Sequence, residues 1–133
     1  MSLFNVMNIA GSALTAQSAR LNAVASNLAN ADSMVGADGQ PYRAKQVQFR
    51  AMLVEGGGLG VRATQVVEST APMRLAYDPT SPAANEQGYV TMPNVNPIEE
   101  MVNMISASRS YQNNAEVMNS AKALVQKTLA IGQ

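Results

Sequence analysis

Two long stretches of the chain repeat their apolar residues every seven positions, and the stretch between them does not. At the front, Met7, Leu14, Leu21 and Leu28 occupy one heptad position, and Leu3, Ala10, Gln17, Val24 and Ala31 the other. This spacing predicts a helix over roughly residues 3 to 31 with one continuous seam. At the rear, a seam runs through Met104, Ala107, Tyr111, Met118, Ala121 and Val125, with Leu129 on the same side and Asn114 interrupting it. Ile98, Met101, Val102 and Ile105 form a first apolar patch ahead of it. Asn96 is placed to cap this helix, with Pro97 in its first turn, Glu99 and Glu100 at the positive end of its dipole, and Gly132 to stop it.

Between the helices the period falls to two. Val47, Phe49, Ala51 and Leu53 alternate with Gln48, Arg50 and Met52, Gly56 to Gly58 form a turn, and Val61, Ala63 and Val66 or Val67 return. The pattern predicts a β-hairpin with one half-buried face. Residues 69–88, rich in proline and turn residues, read as a long loop, followed by a short extended stretch from Tyr89 to Met92. All six prolines lie between Pro41 and Pro97, so the flanks are free of the strongest helix breaker. The expected fold is mainly α with a small β element. The N- and C-terminal helices (residues 1–34 and 97–133) pair as an antiparallel coiled coil, and the middle segment (35–96) is a β-hairpin plus extended loops.

Composition changes the picture by what is missing. The chain has no Cys, His or Trp, and nine basic residues balance nine acidic ones. Thiolate or imidazole metal sites, disulfides and His-dependent catalysis are excluded. Zero net charge without a basic block argues against nucleic acid as a partner. The sequence calls for no cofactor, metal or small-molecule substrate. Glu99 and Glu100 are adjacent on a helix and point about 100° apart, so they suit the helix dipole, not acid–base work on one atom. The glycine run from Gly56 to Gly60 lacks the Lys-Ser/Thr of a phosphate loop, and Asp32, Asp38 and Gly39 fall short of a calcium loop. The nine methionines read as adaptable packing.

Charge is scarce in a telling place, because Arg20 is the only charged side chain among the first 31 residues. Outside its seam the front helix carries Ala, Ser, Asn, Gln and Thr, and the middle segment has few large apolar residues to cover it. These neutral faces are expected to meet other subunits through small and amide side chains. The first residues show neither a basic n-region nor an unbroken apolar run, so neither a cleaved secretory signal nor a membrane helix is expected there.

The stretch from Leu21 to Ala31, with Ser26-Asn27-Leu28-Ala29-Asn30 at its centre, resembles the N-terminal motif of the flagellar axial proteins. Tyr42 to Phe49, Tyr77-Asp78-Pro79, Gly88 to Pro97, Glu99 to Gln112 and the ending Lys127 to Gln133 narrow the resemblance to bacterial flagellar basal-body rod proteins of the FlgC type. The resemblance runs from end to end. It implies terminal helices that are disordered in the free subunit and pair on assembly around an export channel. It further implies a structural, non-enzymatic subunit of the proximal rod in the periplasm, exported by the flagellar type III apparatus and transmitting motor torque. Its partners would be copies of itself, other rod proteins, and the export gate and membrane ring.

On that reading Leu14, Leu21, Val24, Leu28, Ile98, Met101, Ile105, Tyr111, Met118 and Val125 are subunit-packing residues. Asn27 and Asn30 either lock the first helix against a neighbouring chain or simply end it. Arg20 and Arg109 either pair with a neighbouring subunit or face solvent or the channel. Phe49 and Leu53 fit a Phe-x-x-x-apolar element for recognition by the export gate, and Phe49 fits equally well as the core residue of the hairpin. Two other classes compete with the structural one. A peptidoglycan-active enzyme would need a convergent carboxylate pair, and a membrane-surface protein would need Lys and Arg along its polar faces. The sequence supplies neither.

Overall fold

The computed structural model describes residues 2–34 and 39–133. Met1 and residues 35–38, with Asp38 and the start of the predicted outer segment, lie outside the described residues. Helix α1 spans Leu3–Ala29 and helix α2 spans Pro97–Ile131. Their 27 and 35 residues make rods of about 40 and 52 Å. The predicted start of α2 is present in detail: the Asn96 side chain accepts from the Ile98 and Glu99 amides, Pro97 opens the helix, and Glu99 and Glu100 fill its first turn. Gly132 caps its end, its amide donating to the Thr128 carbonyl. No described helix is long and apolar enough to cross a membrane.

The two helices pack against each other and run antiparallel, since Leu3 lies beside Val125, Gly11 beside Met118 and Asn27 beside Glu100. Small residues make the approach close. Ala10, Val24, Ala107 and Ala121 are buried, and a β-carbon at Gly11 would stand 3.2 Å from Met118 Cε. Of the residues on the heptad seams, Leu14, Leu21, Leu28, Met118 and Val125 are half-buried. Leu129 is an exception: it borders Leu3 and Phe4 at the start of α1 but is exposed.

Strands β1 (Lys45–Leu53) and β2 (Leu59–Glu68) form the expected hairpin, closed by the glycine turn. Gln48 pairs with Gln65 but Phe49 pairs with Ala63, so Thr64 is an extra residue that bulges β2. The bulge and strand twist break the simple alternation. Met52 is half-buried, while Leu53, expected on the covered face, is 81% exposed.

Two further expectations are corrected. Residues 69–88 are not one long loop: β3 (Arg74–Tyr77) pairs with β4 (Tyr89–Met92) in a second antiparallel hairpin. Its four residues per strand are too few for a periodicity to register, and a cross-strand Tyr77–Tyr89 pair, edge to face at 5.3 Å, helps hold it. Nor is the neutral outer face of α1 without an internal partner. The first hairpin lies along it: the Asn5 amide donates to the Gly56 carbonyl at 2.6 Å, and the Ser12 hydroxyl accepts from the Val61 amide at 3.1 Å. Ala16, Ala23 and Asn27 are buried on α1 as well. Hydrogen bonds to backbone, needing no large side chains, do the covering.

Candidate assembly interface

The interior is built almost entirely of small side chains. The largest fully buried ones are Val95, Asn27 and Pro93, and a cluster of Ala31, Ala44 and Val95, with Tyr42 against it, sits where the helices and both hairpins converge. Polar groups tie this junction. Arg74 donates from Nε to the Pro93 carbonyl and from Nη2 to the Ala31 carbonyl, with Asp32 3.9 Å away. Asn94 accepts from the Ala44 amide at 2.7 Å and donates to the Ala71 carbonyl at 2.9 Å.

Asn27 is the centre of the junction and is 1% exposed. Its Oδ1 accepts from the Lys45 amide at 2.8 Å and from the Tyr42 hydroxyl at 2.9 Å. Its Nδ2 donates to the Lys45 carbonyl at 2.9 Å and to Glu100 Oε2 at 3.0 Å. All four positions of the amide are therefore filled within one chain. The expectation that Asn27 locks against a neighbouring chain is corrected: it locks α1 to β1 and α2 of its own chain. Asn30 takes the other predicted role and ends the helix, as its C-cap, with its side chain donating to the Ser26 carbonyl. Burial raises the Tyr42 hydroxyl above its ordinary pKa, and the Glu100 and Glu68 carboxylates raise it further.

With the interior so occupied, the large apolar side chains are left outside. On α2, Ile98, Met101, Val102 and Ile105 are 75%, 54%, 60% and 56% exposed and share one stripe at i, i+3, i+4 and i+7. Tyr111 is also exposed. The site residues predicted from the sequence thus divide in two. Val24 is buried and Leu14, Leu21, Leu28, Met118 and Val125 are half-buried, whereas Ile98, Met101, Ile105 and Tyr111 are exposed. Phe49 borders a groove with Val24 and Glu99, while Leu53 stands free near the hairpin tip. A second groove, between the start of α1 and the end of α2, is lined by Leu3, Val6, Val117 and Leu124. Val117, Leu124 and Ile131 stand seven residues apart on α2 and are exposed. That heptad spacing was present in the sequence and could have pointed to this second surface. Arg20 meets Asn103 of its own chain at 3.4 Å, not an acidic partner.

Comparison with known proteins fits this outward-facing architecture. Residues 7–37 match the family model described as flagella basal body rod protein. Residues 86–131 match the flagellar basal body rod FlgEFG protein C-terminal model. The flagellar basal-body rod protein FlgC of Escherichia coli O157:H7 is 58% identical over an alignment covering all of both chains, and that of Salmonella typhimurium strain LT2 equally so. The FlgC protein of Bacillus subtilis strain 168 is 39% identical, again over the full length of both. With identity of this level from end to end, the chain belongs to the FlgC family of structural flagellar basal-body rod proteins.

Proposed function

We propose that this rod subunit is part of the proximal rod in the periplasm, where α1 and α2 pair as a coiled coil in an inner layer around the export channel and help transmit motor torque. The hairpins form the outer part. The observation that carries the reading is the stripe of Ile98, Met101, Val102 and Ile105, four large apolar side chains more than half exposed on a chain whose interior is already filled. Fully burying such a side chain contributes about 1.5–3 kcal/mol, so closing this stripe against copies of the chain or other rod proteins supplies a large share of an assembly free energy. Membership of the rod family supports assembly with other rod proteins. Contact with the export gate and membrane ring below, and export through the flagellar type III apparatus with Phe49 and Leu53 as its recognition element, complete the proposal.

Aspartate at Met101 or Ile105 tests it, because both side chains are more than half exposed in the single chain. Met101→Asp or Ile105→Asp is expected to abolish swimming and incorporation into purified basal bodies while leaving helical content unchanged. Normal motility in both variants would remove the stripe from the interface.

A further inference from the structure

Two like charges face each other across the first hairpin. Arg50 of β1 is the register partner of Arg62 of β2, so both side chains stand on one face of the ribbon, with β-carbons roughly 5 Å apart. Both are exposed. A cation directly opposite a cation weakens an antiparallel pair, whereas a carboxylate at either position would strengthen it. The chain does nothing to relieve the conflict. Among the described residues neither guanidinium makes a hydrogen bond or an ion pair, whereas Arg20, Arg43 and Arg74 each donate to a group of their own chain. The two carboxylates of the hairpin are at its ends, Glu55 in the turn and Glu68 opposite Lys45.

The neighbouring residues fix the pair and extend its chemistry. The bulge at Thr64 lies two residues beyond Arg62, and the Thr64 hydroxyl donates to the Gln48 carbonyl at 3.3 Å. A bulge of this kind re-aims the side chains beside it. Past the bulge Gln48 opposes Gln65, and both are exposed. Two guanidiniums and two carboxamides thus form a strip with no acidic member. An Arg fork matches a carboxylate in a bidentate way, and a strip without aromatic or apolar groups does not suit a stacked ring or an acyl surface. We propose that Arg50 and Arg62 together clamp a pair of carboxylates on an adjacent rod protein of a different kind, an inference that rests on assembly within the rod. A second copy of this chain does not offer such a pair. Its Asp32 and Glu100 are engaged by Arg74 and Asn27, and Asp78 by Thr80. Glu55, Glu86, Glu99 and Glu116 are exposed but stand singly, in two turns, the first turn of α2 and its middle. The repulsion across the hairpin is then relieved when the partner docks, so that the ribbon is strongest in the assembled rod.

Arg50→Glu and Arg62→Glu, each made alone in the full chain and expressed in motile cells, separate the clamp from the hairpin. Each creates an opposite-charge pair across the strands, which favours the ribbon, while it sets a carboxylate against the carboxylates of the partner. Both variants are expected to be exported in natural amounts, as read by immunoblotting of cytoplasmic and exported fractions. Their recovery in purified basal bodies should fall at least about 10-fold, with loss of swimming. The natural chain in parallel preparations keeps the two readings apart: its absence from basal bodies would refute the rod reading, whereas its presence beside natural recovery of both variants would remove the clamp alone. Failed export of Arg62→Glu, which lies outside Phe49–Leu53, would assign the charge to transit and overturn the clamp. Motile suppressors selected from Arg62→Glu are expected to replace an Asp or Glu of another rod protein by a neutral or basic residue. Suppressors confined to the acidic residues of this chain would make the partner a second copy, and suppressors confined to Arg50 would make the effect internal to the hairpin. Either pattern overturns the proposal.

Discussion

The Asn5 side chain donates to the carbonyl of Gly56 at 2.6 Å, joining the first turn of α1 to a hairpin turn 51 residues later. Gly56 has φ +88°, a left-handed conformation that an L side chain adopts at a cost, and a β-carbon there would run into the Asn5 carboxamide. Gly56→Ala is therefore expected to lose both the turn and this hydrogen bond, about 2–3 kcal/mol in all. Asn5→Ala removes only the hydrogen bond and leaves the turn intact, for about 1 kcal/mol. Urea unfolding of the purified chains checks the difference. Equal losses in the two variants would show that the turn itself carries no strain.

A second expectation concerns an unpaired group. Gln17 occupies a seam position between Ala10 and Val24, and its Oε1 is buried with no hydrogen-bond partner. A buried acceptor in that state costs about 1–3 kcal/mol, so Gln17→Leu is expected to raise the unfolding midpoint. A lower midpoint would mean that the branched, bulkier leucine side chain overpacks the alanine-lined seam.

Alkaline pH reaches the junction through Tyr42. Its hydroxyl donates to Asn27 Oδ1, and burial first, then the Glu100 and Glu68 carboxylates, raise its pKa above the ordinary value of 10.0. The folded chain therefore holds this proton more tightly than the unfolded chain. The resulting stabilisation is fully present below pH 10.0 and is lost as the pH rises through the folded-state pKa, so stability falls on the alkaline side of that value. In Tyr42→Phe this component of the alkaline loss should vanish, at a cost near neutrality of about 1 kcal/mol, since Asn27 Oδ1 keeps the Lys45 amide as a donor. Unfolding midpoints measured at pH values on both sides of the transition check it. An equally steep alkaline loss in the variant would assign the effect to other groups.

Both helices and the first hairpin were legible because each repeats a pattern over enough residues to stand out. Local chemistry placed the ends as well, with Asn96, Pro97 and Gly132 all in their expected roles. The second hairpin was hidden because Arg74–Tyr77 and Tyr89–Met92 are short, largely exposed, and separated by a turn-rich segment that reads as loop. The role of Asn27 was half visible. Its helical position suggested packing, but its actual partners are the backbone of Lys45, the hydroxyl of Tyr42 and the carboxylate of Glu100, and no spacing in the sequence announces contacts 15, 18 and 73 residues away. The covering of α1 escaped for the same reason: backbone groups of β1 and β2 provide much of it, and backbone groups leave no mark on composition.

The exposure of Leu53 separates two roles that sequence alone could not part. A core residue and an export-recognition residue would both be apolar, but Leu53 is 81% exposed and contributes little to the fold. Leu53→Ala is expected to change stability by no more than about 0.5 kcal/mol. Phe49, which borders the groove against Val24, is expected to cost more, about 1 kcal/mol on truncation to alanine. If the pair forms the recognition element, Leu53→Ala should lower the amount of chain exported by live cells about as much as Phe49→Ala does, despite its unaltered unfolding midpoint. Export is measured by immunoblotting of the cytoplasmic and exported fractions. Natural export of Leu53→Ala would reduce the five-residue pattern to chance, and a defect confined to Phe49→Ala would track lost stability instead of lost recognition.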